Sequence, residues 1–436
     1  MTDHRINDHL INDPRKTIAV TGVGAVSPYG IGLDCLQAGM LSSKCCLAPT
    51  KDLYPGFEGS TAHVGSLPLS AKDNSSRYSR SDRLAMVAAR DAVKDFDLDI
   101  DPKSAAFRES GVGIGVMMAS TVAGLSEIDP AIAEDPAAWY RNAGGLLRAA
   151  SYPAAHVADA VGDDLGLCGP RCAISAACAS SAMAIALAAN LLLDGAATMM
   201  LAGGSDALCP FTLSGFNSLQ ALDPDPCRPF DQNRKGLNLG EGAAVLVLET
   251  LERATARNAN VLAVLRGWAM TNDAFHSTAP HQQGSGLADC MRLAMEMAEA
   301  GCDDIGYVNA HGTGTPLNDV AETHAYESAF RERGRPVPVS STKSYFGHCL
   351  GAAGALEAAI TIMAVRCGAL LPTLRLTDPI ESPSVNWLRG EVLRQALPLA
   401  MSVSAGFGGS NTVLIVGEHP FGNSGYGESP FGNRLA

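Results

Sequence analysis

The sequence predicts an α/β protein made of two similar halves, and three observations carry that prediction. Continuous apolar runs of strand length alternate with longer helical runs, the pattern of strands buried on both faces. A plan of short strand, reactive-type residue, small-residue helix and glycine-ended strand occurs twice. It surrounds "CAISAACASSAMAIALAANLLLDG" (172–195) and again "SSTKSYFGHCLGAAGALEAAITIMAVRCGAL" (340–370). The 436 residues combine 45 glycines and 47% hydrophobic residues with only 6% aromatics, which suits close-packed layers joined by tight turns.

Taken in order, "TIAVTGVGAVSPYG" (17–30) reads as a buried strand entering a glycine turn. A helix is expected over Ser81–Phe96 and a second strand in "GVGIGVMMAS" (111–120). A strand then leads into Cys178, a helix runs to about Asp194, and "TMMLAGG" (198–204) is the next strand. "GAAVLVLE" (242–249) and "VLAVLRGWAM" (261–270) are further strands, and a helix fits Gly286–Gly301. The halves are placed at 16–257 and 258–418. A leader (1–15) and a Gly/Ser/Asn-rich tail (419–436) flank them, and both read as loose.

Several function classes are disfavoured. The net charge is −13 and no Lys/Arg-rich run occurs, so neither nucleic acid nor an anionic membrane is expected as partner. The apolar block after Cys178 is interrupted by Asn190 and Asp194 and stopped by Gly195, as in a core helix rather than a bilayer span. The polar opening "MTDHRINDHLINDPRK" has no signal-peptide core. The 12 cysteines form no CxxC and no zinc-type spacing, which implies free thiols in a reducing cytoplasm and no metal. The glycines of "GVGAVSPYG" do not complete a dinucleotide fingerprint, and no P-loop, GxSxG or HExxH is present.

Four segments carry chemistry. Cys178 opens a helix, where unpaired N–H groups and the dipole favour a thiolate; a small buried core residue is the plainer reading. In "YVNAHGTGTPLNDVAE" (307–322), His311 ends a strand beside glycines that admit a ligand, or it is a structural histidine. "STKSYFGHCLGAAGALE" (341–357) holds Lys343 and His348 ahead of another small-residue helix. "SVSAGFGGSN" (402–411) places glycines around Phe407 so that backbone N–H groups can face a carbonyl oxygen, as an oxyanion hole needs. A fifth, "CRPFDQNRKGLNLGEGAAVLVLE" (227–249), has Arg228, Asp231, Arg234 and Glu241 but no nucleophile, and reads as a structural polar network.

Together these motifs resemble the β-ketoacyl-[acyl-carrier-protein] synthases, the elongating condensing enzymes of fatty-acid and type II polyketide synthesis. The resemblance runs in order from about residue 17 to residue 416 and includes "VTGVGAVSPYG" and "RPFDxxRxGLNLGEGAA". It implies the thiolase fold, a five-layered α-β-α-β-α sandwich. It implies that Cys178 takes an acyl chain as a thioester from a carrier protein's phosphopantetheine. His311 and His348 would then stabilise the enolate formed when a malonyl donor loses CO2. The N–H groups of Cys178 and Phe407 would bind the oxyanion, and Phe407 would gate the acyl pocket. Lys343 would order the histidines with Glu322 as its acidic partner, and Thr313 and Thr315 would contact pantetheine. Asn309, Glu357 and Ser402 match a buried cation or structural-polar site.

The resemblance also implies no metal or cofactor of the protein's own. An acyl carrier protein is the expected partner, within a homodimer or a ketosynthase/chain-length-factor heterodimer. The carrier is acidic, and Arg77, Arg80 and Arg83 in "SSRYSRSDRLA" (75–85) are the expected docking residues. Alternatives are a chain-length-setting or structural subunit and a CoA-dependent thiolase. Retention of Cys178, His311 and His348 disfavours the first, and Phe407 in place of a second cysteine disfavours the other. Ala176 stands where the family has Thr, and Ala405 where it has an aromatic residue. The acyl-pocket candidates are Met117, Met118 and Ala405.

Overall fold

The computed structural model describes residues 17–50, 63–67, 77–94, 113–126 and 150–419. Five strands of the first half are Ile18–Ser27 (β1), Ile114–Ala119 (β2), Arg171–Ile174 (β3), Met199–Asp206 (β4) and Gly242–Thr250 (β5). Their counterparts are Ala263–Asn272 (β6), Ile305–Asn309 (β7), Val337–Ser340 (β8), Leu399–Gly406 (β9) and Ser410–Gly417 (β10). The spatial orders β3-β2-β4-β5-β1 and β8-β7-β9-β10-β6 are the same. So are the senses: β2 is parallel to β3 and β4, while β5 is antiparallel to β4 and β1. The second half repeats this pattern strand for strand. β1 and β6 pair antiparallel at Ile18–Leu265, Ala19–Val264 and Val20–Ala263. Among the described residues the halves therefore form one sheet of 12 strands, with Gly30–Ile31 and Val385–Trp387 as additions.

Helices Arg80–Val93 (α1) and Ala155–Asp164 (α2) cover the outer face of the first half, and Ser285–Met297 (α4) and Pro316–Ala329 (α5) that of the second. Between the halves lie Ser180–Leu193 (α3) and Ala353–Cys367 (α6). Helix α3 packs on β4 and reaches β10, while α6 packs on β9 and reaches β5. That gives the five layers of the thiolase fold.

Small residues make the central layer possible. A Cβ on Gly354 would lie 2.7 Å from the Ala182 nitrogen and 2.8 Å from its Cβ, so only glycine admits this approach. The Ser181 hydroxyl accepts the N–H of Ala355 at 2.8 Å, satisfying a helix-start donor across the layer. Asn190, odd in so apolar a helix, accepts the indole N–H of Trp268 at 2.9 Å. Leu350–Cys367 is long and apolar enough to cross a membrane, but 89% of it is buried inside the protein, as in a core helix.

Helix α1 starts at a capping box, with Ser79 and Asp82 exchanging side-chain and backbone bonds. It ends at Val93; Phe96, the leader and the tail beyond His419 lie outside the described residues.

Candidate active site

Strand β3 ends at Ile174, and the chain then turns sharply. Ala177 has φ 48°, a left-handed conformation that costs a β-carbon residue some strain. Ser180 holds the turn, its hydroxyl accepting the Ala176 N–H at 2.7 Å and donating to the Ala177 carbonyl at 2.5 Å. Cys178 is thereby set at the mouth of α3, whose start has no side-chain cap.

Strand β7 delivers His311. Glu322, on α5, accepts the N–H groups of His311 and Gly312 at 2.7 and 2.8 Å and the Tyr326 hydroxyl at 2.6 Å. Strand β8 leads to Lys343 and His348. The Lys343 ammonium donates to the His311 carbonyl at 2.6 Å, lies 3.3 Å from His311 Nδ1, and forms a buried ion pair with Glu357. Glu357 is thus the partner of Lys343; the expected Glu322 instead fixes the backbone of the His311 loop. The two glutamates both follow their histidine on a helix, and only the helix placement decides which one reaches the lysine.

The His348 backbone is clamped between Asn238 and Gly240, at 2.7 and 2.9 Å, while neither ring nitrogen has a partner among the described residues. The Cys178 sulfur and nitrogens of the two imidazoles lie within 4.8 Å of one another. The rings meet edge to face, 5.3 Å between centroids. Strand β9 closes the site: a Cβ on Gly406 would lie 3.1 Å from the Cys178 nitrogen, so the strand end rests on the cysteine turn. The next residue, Phe407, directs its backbone N–H at the thiol.

Burial dominates the electrostatics. It pushes the Cys178 thiol up to about 11, outweighing the Lys343 charge and the Phe407 N–H that pull it down. The resting group is therefore a thiol, not the thiolate expected from the helix start. Burial, then the Lys343 charge, holds His311 and His348 well below 6.5, so both are neutral. Burial raises Glu322 and Glu357 to about 7, with Lys343 opposing at Glu357.

Behind the histidines, Asn309 donates to the Glu357 carbonyl at 3.1 Å and sits beside Ser402 in register. The Glu357 Oε2 and Ser402 Oγ atoms are buried without partners among the described residues.

The site opens into a cavity of about 360 Å³ lined by Cys178, both histidines, Thr313, Thr315 and Ala405. Phe407 stacks on Phe216 across it, 5.8 Å between centroids. Phe216 gave no signal in the sequence, since an aromatic in "PFTLSGFNSL" (210–219) reads as packing. The polar network also shapes this cavity. Arg234 donates to the carbonyls of Thr315 and Pro316, and Asp231 accepts the N–H groups of Thr377 and Asp378.

Two family models cover most of the chain: "Beta-ketoacyl synthase, N-terminal domain" matches residues 15–254 and "Beta-ketoacyl synthase, C-terminal domain" residues 262–377. The chain belongs to the β-ketoacyl synthase family. It is an acyltransferase that forms carbon–carbon bonds. It is 33% identical to a Staphylococcus aureus 3-oxoacyl-[acyl-carrier-protein] synthase 2 over 92% of this chain and 98% of that one. It is also 33% identical to a tetracenomycin polyketide synthase ketoacyl synthase alpha subunit of Streptomyces glaucescens, over 92% and 97%. Among solved structures, a type II polyketide acyl-carrier protein in complex with its ketosynthase, bound to the hexaketide, superposes with TM-score 0.82 at 26% identity, covering 92% and 99%. A ketosynthase in complex with its chain length factor from Xenorhabdus doucetiae gives 0.78 at 29%, covering 92% and 98%.

Met117 and Met118 do not line the cavity among the described residues; they alternate along β2 into core on opposite faces of the sheet. The three arginines are not a free basic patch. Arg80 turns inward and pairs with buried Glu241 at 2.5 Å. Arg83 donates to the Tyr78 carbonyl at 2.8 Å, and exposed Arg77 lies 3.5 Å from Asp163. Glu241 also accepts the N–H groups of Leu67 and Leu208, so Arg80 neutralises a loop-fastening carboxylate.

Proposed function

We propose that this chain catalyses decarboxylative Claisen condensation of a Cys178-bound acyl chain with malonyl-acyl carrier protein, giving β-ketoacyl-acyl carrier protein. The observation that carries this is the convergence of one thiol and two neutral imidazoles within 4.8 Å at the floor of a cavity.

In the first step the Cys178 sulfur attacks the carrier-borne thioester. A thiol raised to about 11 needs a base close by, and His348 offers unpartnered ring nitrogens. The acyl–sulfur bond passes from pantetheine to Cys178, and the thiol proton ends on the departing pantetheine sulfur. In the second step the malonyl carboxylate leaves as CO2 and its electron pair forms an enolate. Neutral imidazoles donate hydrogen bonds to that oxygen, with the N–H groups of Cys178 and Phe407 at the acyl carbonyl. The enolate carbon attacks the acyl carbon, and the released Cys178 thiolate takes a proton from solvent. Lys343 and Glu357 hold His311 in place, and Thr313 and Thr315 receive the pantetheine arm.

No metal or organic cofactor of the protein's own takes part; the phosphopantetheine arrives on the carrier in the cytoplasm. Residues 16–257 supply the nucleophile and 258–418 both histidines. The chain works in a dimer, with β3 at the end of the sheet as the edge for a second ketosynthase-type chain. Incubation with an acyl-carrier series and malonyl-carrier protein, followed by intact-protein mass spectrometry, tests the reading. Carrier products longer by two carbons and carrying a keto group are expected, and their absence contradicts it.

A further inference from the structure

The Cys178 sulfur, a His311 nitrogen and a His348 nitrogen lie within 4.8 Å of one another, and all three side chains are buried. One thiolate and two imidazoles form a donor set that zinc takes in proteins. Zinc holds sulfur at about 2.3 Å and imidazole nitrogen at about 2.0 Å, so its tetrahedron sets ligand atoms about 3.5 Å apart. The three atoms therefore need to close by about 1.3 Å at most. The His348 ring is suited to this, because neither of its nitrogens has a partner among the described residues. His311 is less free. Its Nδ1 lies 3.3 Å from the Lys343 ammonium, so ligation through Nε2 moves its proton to Nδ1, against that charge. Two carboxyl groups, Asp206 and Glu357, act on the thiol against the one ammonium of Lys343. All three side chains line the cavity of about 360 Å³, which leaves a fourth coordination position open to water.

We propose that Cys178, His348 and His311 form a reversible zinc site that blocks acyl transfer, the metal acting as an inhibitor and not as a cofactor. On binding, Zn2+ displaces the thiol proton. The electron pair that held that proton forms the metal–sulfur bond, the proton passes to solvent, and no electron changes hands. One water stays in the fourth position and the other waters of the ion leave. An acylated Cys178 has no thiolate to give, so metal and acyl group exclude one another. The metal site does not depend on the condensing reading, because the three donors are present whatever the substrate.

The test titrates the reduced full chain with Co2+, a spectroscopic stand-in for zinc, and with Zn2+ itself. A thiolate ligand gives cobalt a charge-transfer absorption, and a tetrahedral field strengthens its visible bands. Wild type is expected to bind one more equivalent than Cys178→Ala, with both features in the difference spectrum; this comparison removes the other thiols. His348→Ala is expected to weaken that equivalent by at least about a hundredfold, since loss of an outer-shell partner alone costs up to about that much. His311→Ala is expected to weaken it less. In acyl transfer from an acyl-carrier protein, zinc is expected to compete with the donor, and EDTA to restore the rate. Equal stoichiometry and equal spectra in wild type and Cys178→Ala would overturn the proposal, as would zinc inhibition that does not change with donor concentration. If cobalt binds as expected but acyl groups are never transferred, the metal site stands and the condensing reading fails.

Discussion

The starts of α3 and α6 occupy equivalent places in the two halves and meet at one centre, yet the turns leading into them are fastened by different groups. The turn leading into α6 is stitched down. Gly351 donates its N–H to Asp206 at 2.6 Å, and the same carboxylate accepts from Ser120, Thr121 and Val122. Neither helix start has a side-chain cap, and that of α3 follows Cys178 in a turn held by Ser180. A similar contrast separates the loops after β2 and β7. One is tied by Asp206 and does no chemistry; the other is tied by Glu322 and presents His311. The comparison teaches that a repeated scaffold brings two helix starts to one centre, one offering the nucleophile Cys178 and the other following His348.

The largest effect expected from breaking this division is at the second half's ion pair. Lys343→Met strands Glu357 as a buried, unpartnered carboxyl and should cost about 3–5 kcal/mol of stability, read from denaturant midpoints. Lys343→Met combined with Glu357→Leu should recover much of that loss but not activity. If the single and double variants are equally unstable, the pair is not what Lys343 is for.

Next comes His311→Ala. It should slow condensation by roughly 10²–10³ while leaving acylation of Cys178 within a few-fold, because the imidazole acts on the malonyl carbonyl. Single-turnover assays of the two half-reactions separate these outcomes. Equal losses in both would place His311 in the first half-reaction as well.

Packing between the halves is tested by Gly354→Ala. The added methyl meets Ala182 backbone and should destabilise by about 1–3 kcal/mol, measured by thermal or urea unfolding. An unchanged midpoint would mean the central helices can separate freely.

A smaller effect lies in pH. His311 and His348 stay neutral in the fold, whereas unfolded histidines protonate near 6.5. As pH falls below that value the unfolded state binds more protons, so stability drops with falling pH. Replacing both residues by Gln should flatten this dependence; an unaltered slope would show that the buried histidines are already protonated.

These contrasts also explain what the sequence could and could not reveal. The repeated plan and apolar periodicity were legible because most strands of the sheet are buried on local apolar residues, as β1, β2, β4 and β5 are. The pairing of β1 with β6 was not, because an edge carries no mark of its partner. Cys178, His311 and His348 were legible from their place at element ends. The state of the thiol was not: the helix start argues for a thiolate, and only the surrounding structure shows that burial wins. Arg80 looked like a surface residue because its partner, Glu241, lies 161 positions away. Glu357 and Glu322 looked alike for the same reason.

The most direct test of the division is where the acyl group goes. After incubation with an acyl-carrier protein alone, intact and peptide-level mass spectrometry should find a single acyl adduct on Cys178. In Cys178→Ala that adduct should disappear while the fold is retained. An adduct that persists in Cys178→Ala, or a wild type that never acylates with both histidines intact, would contradict the account.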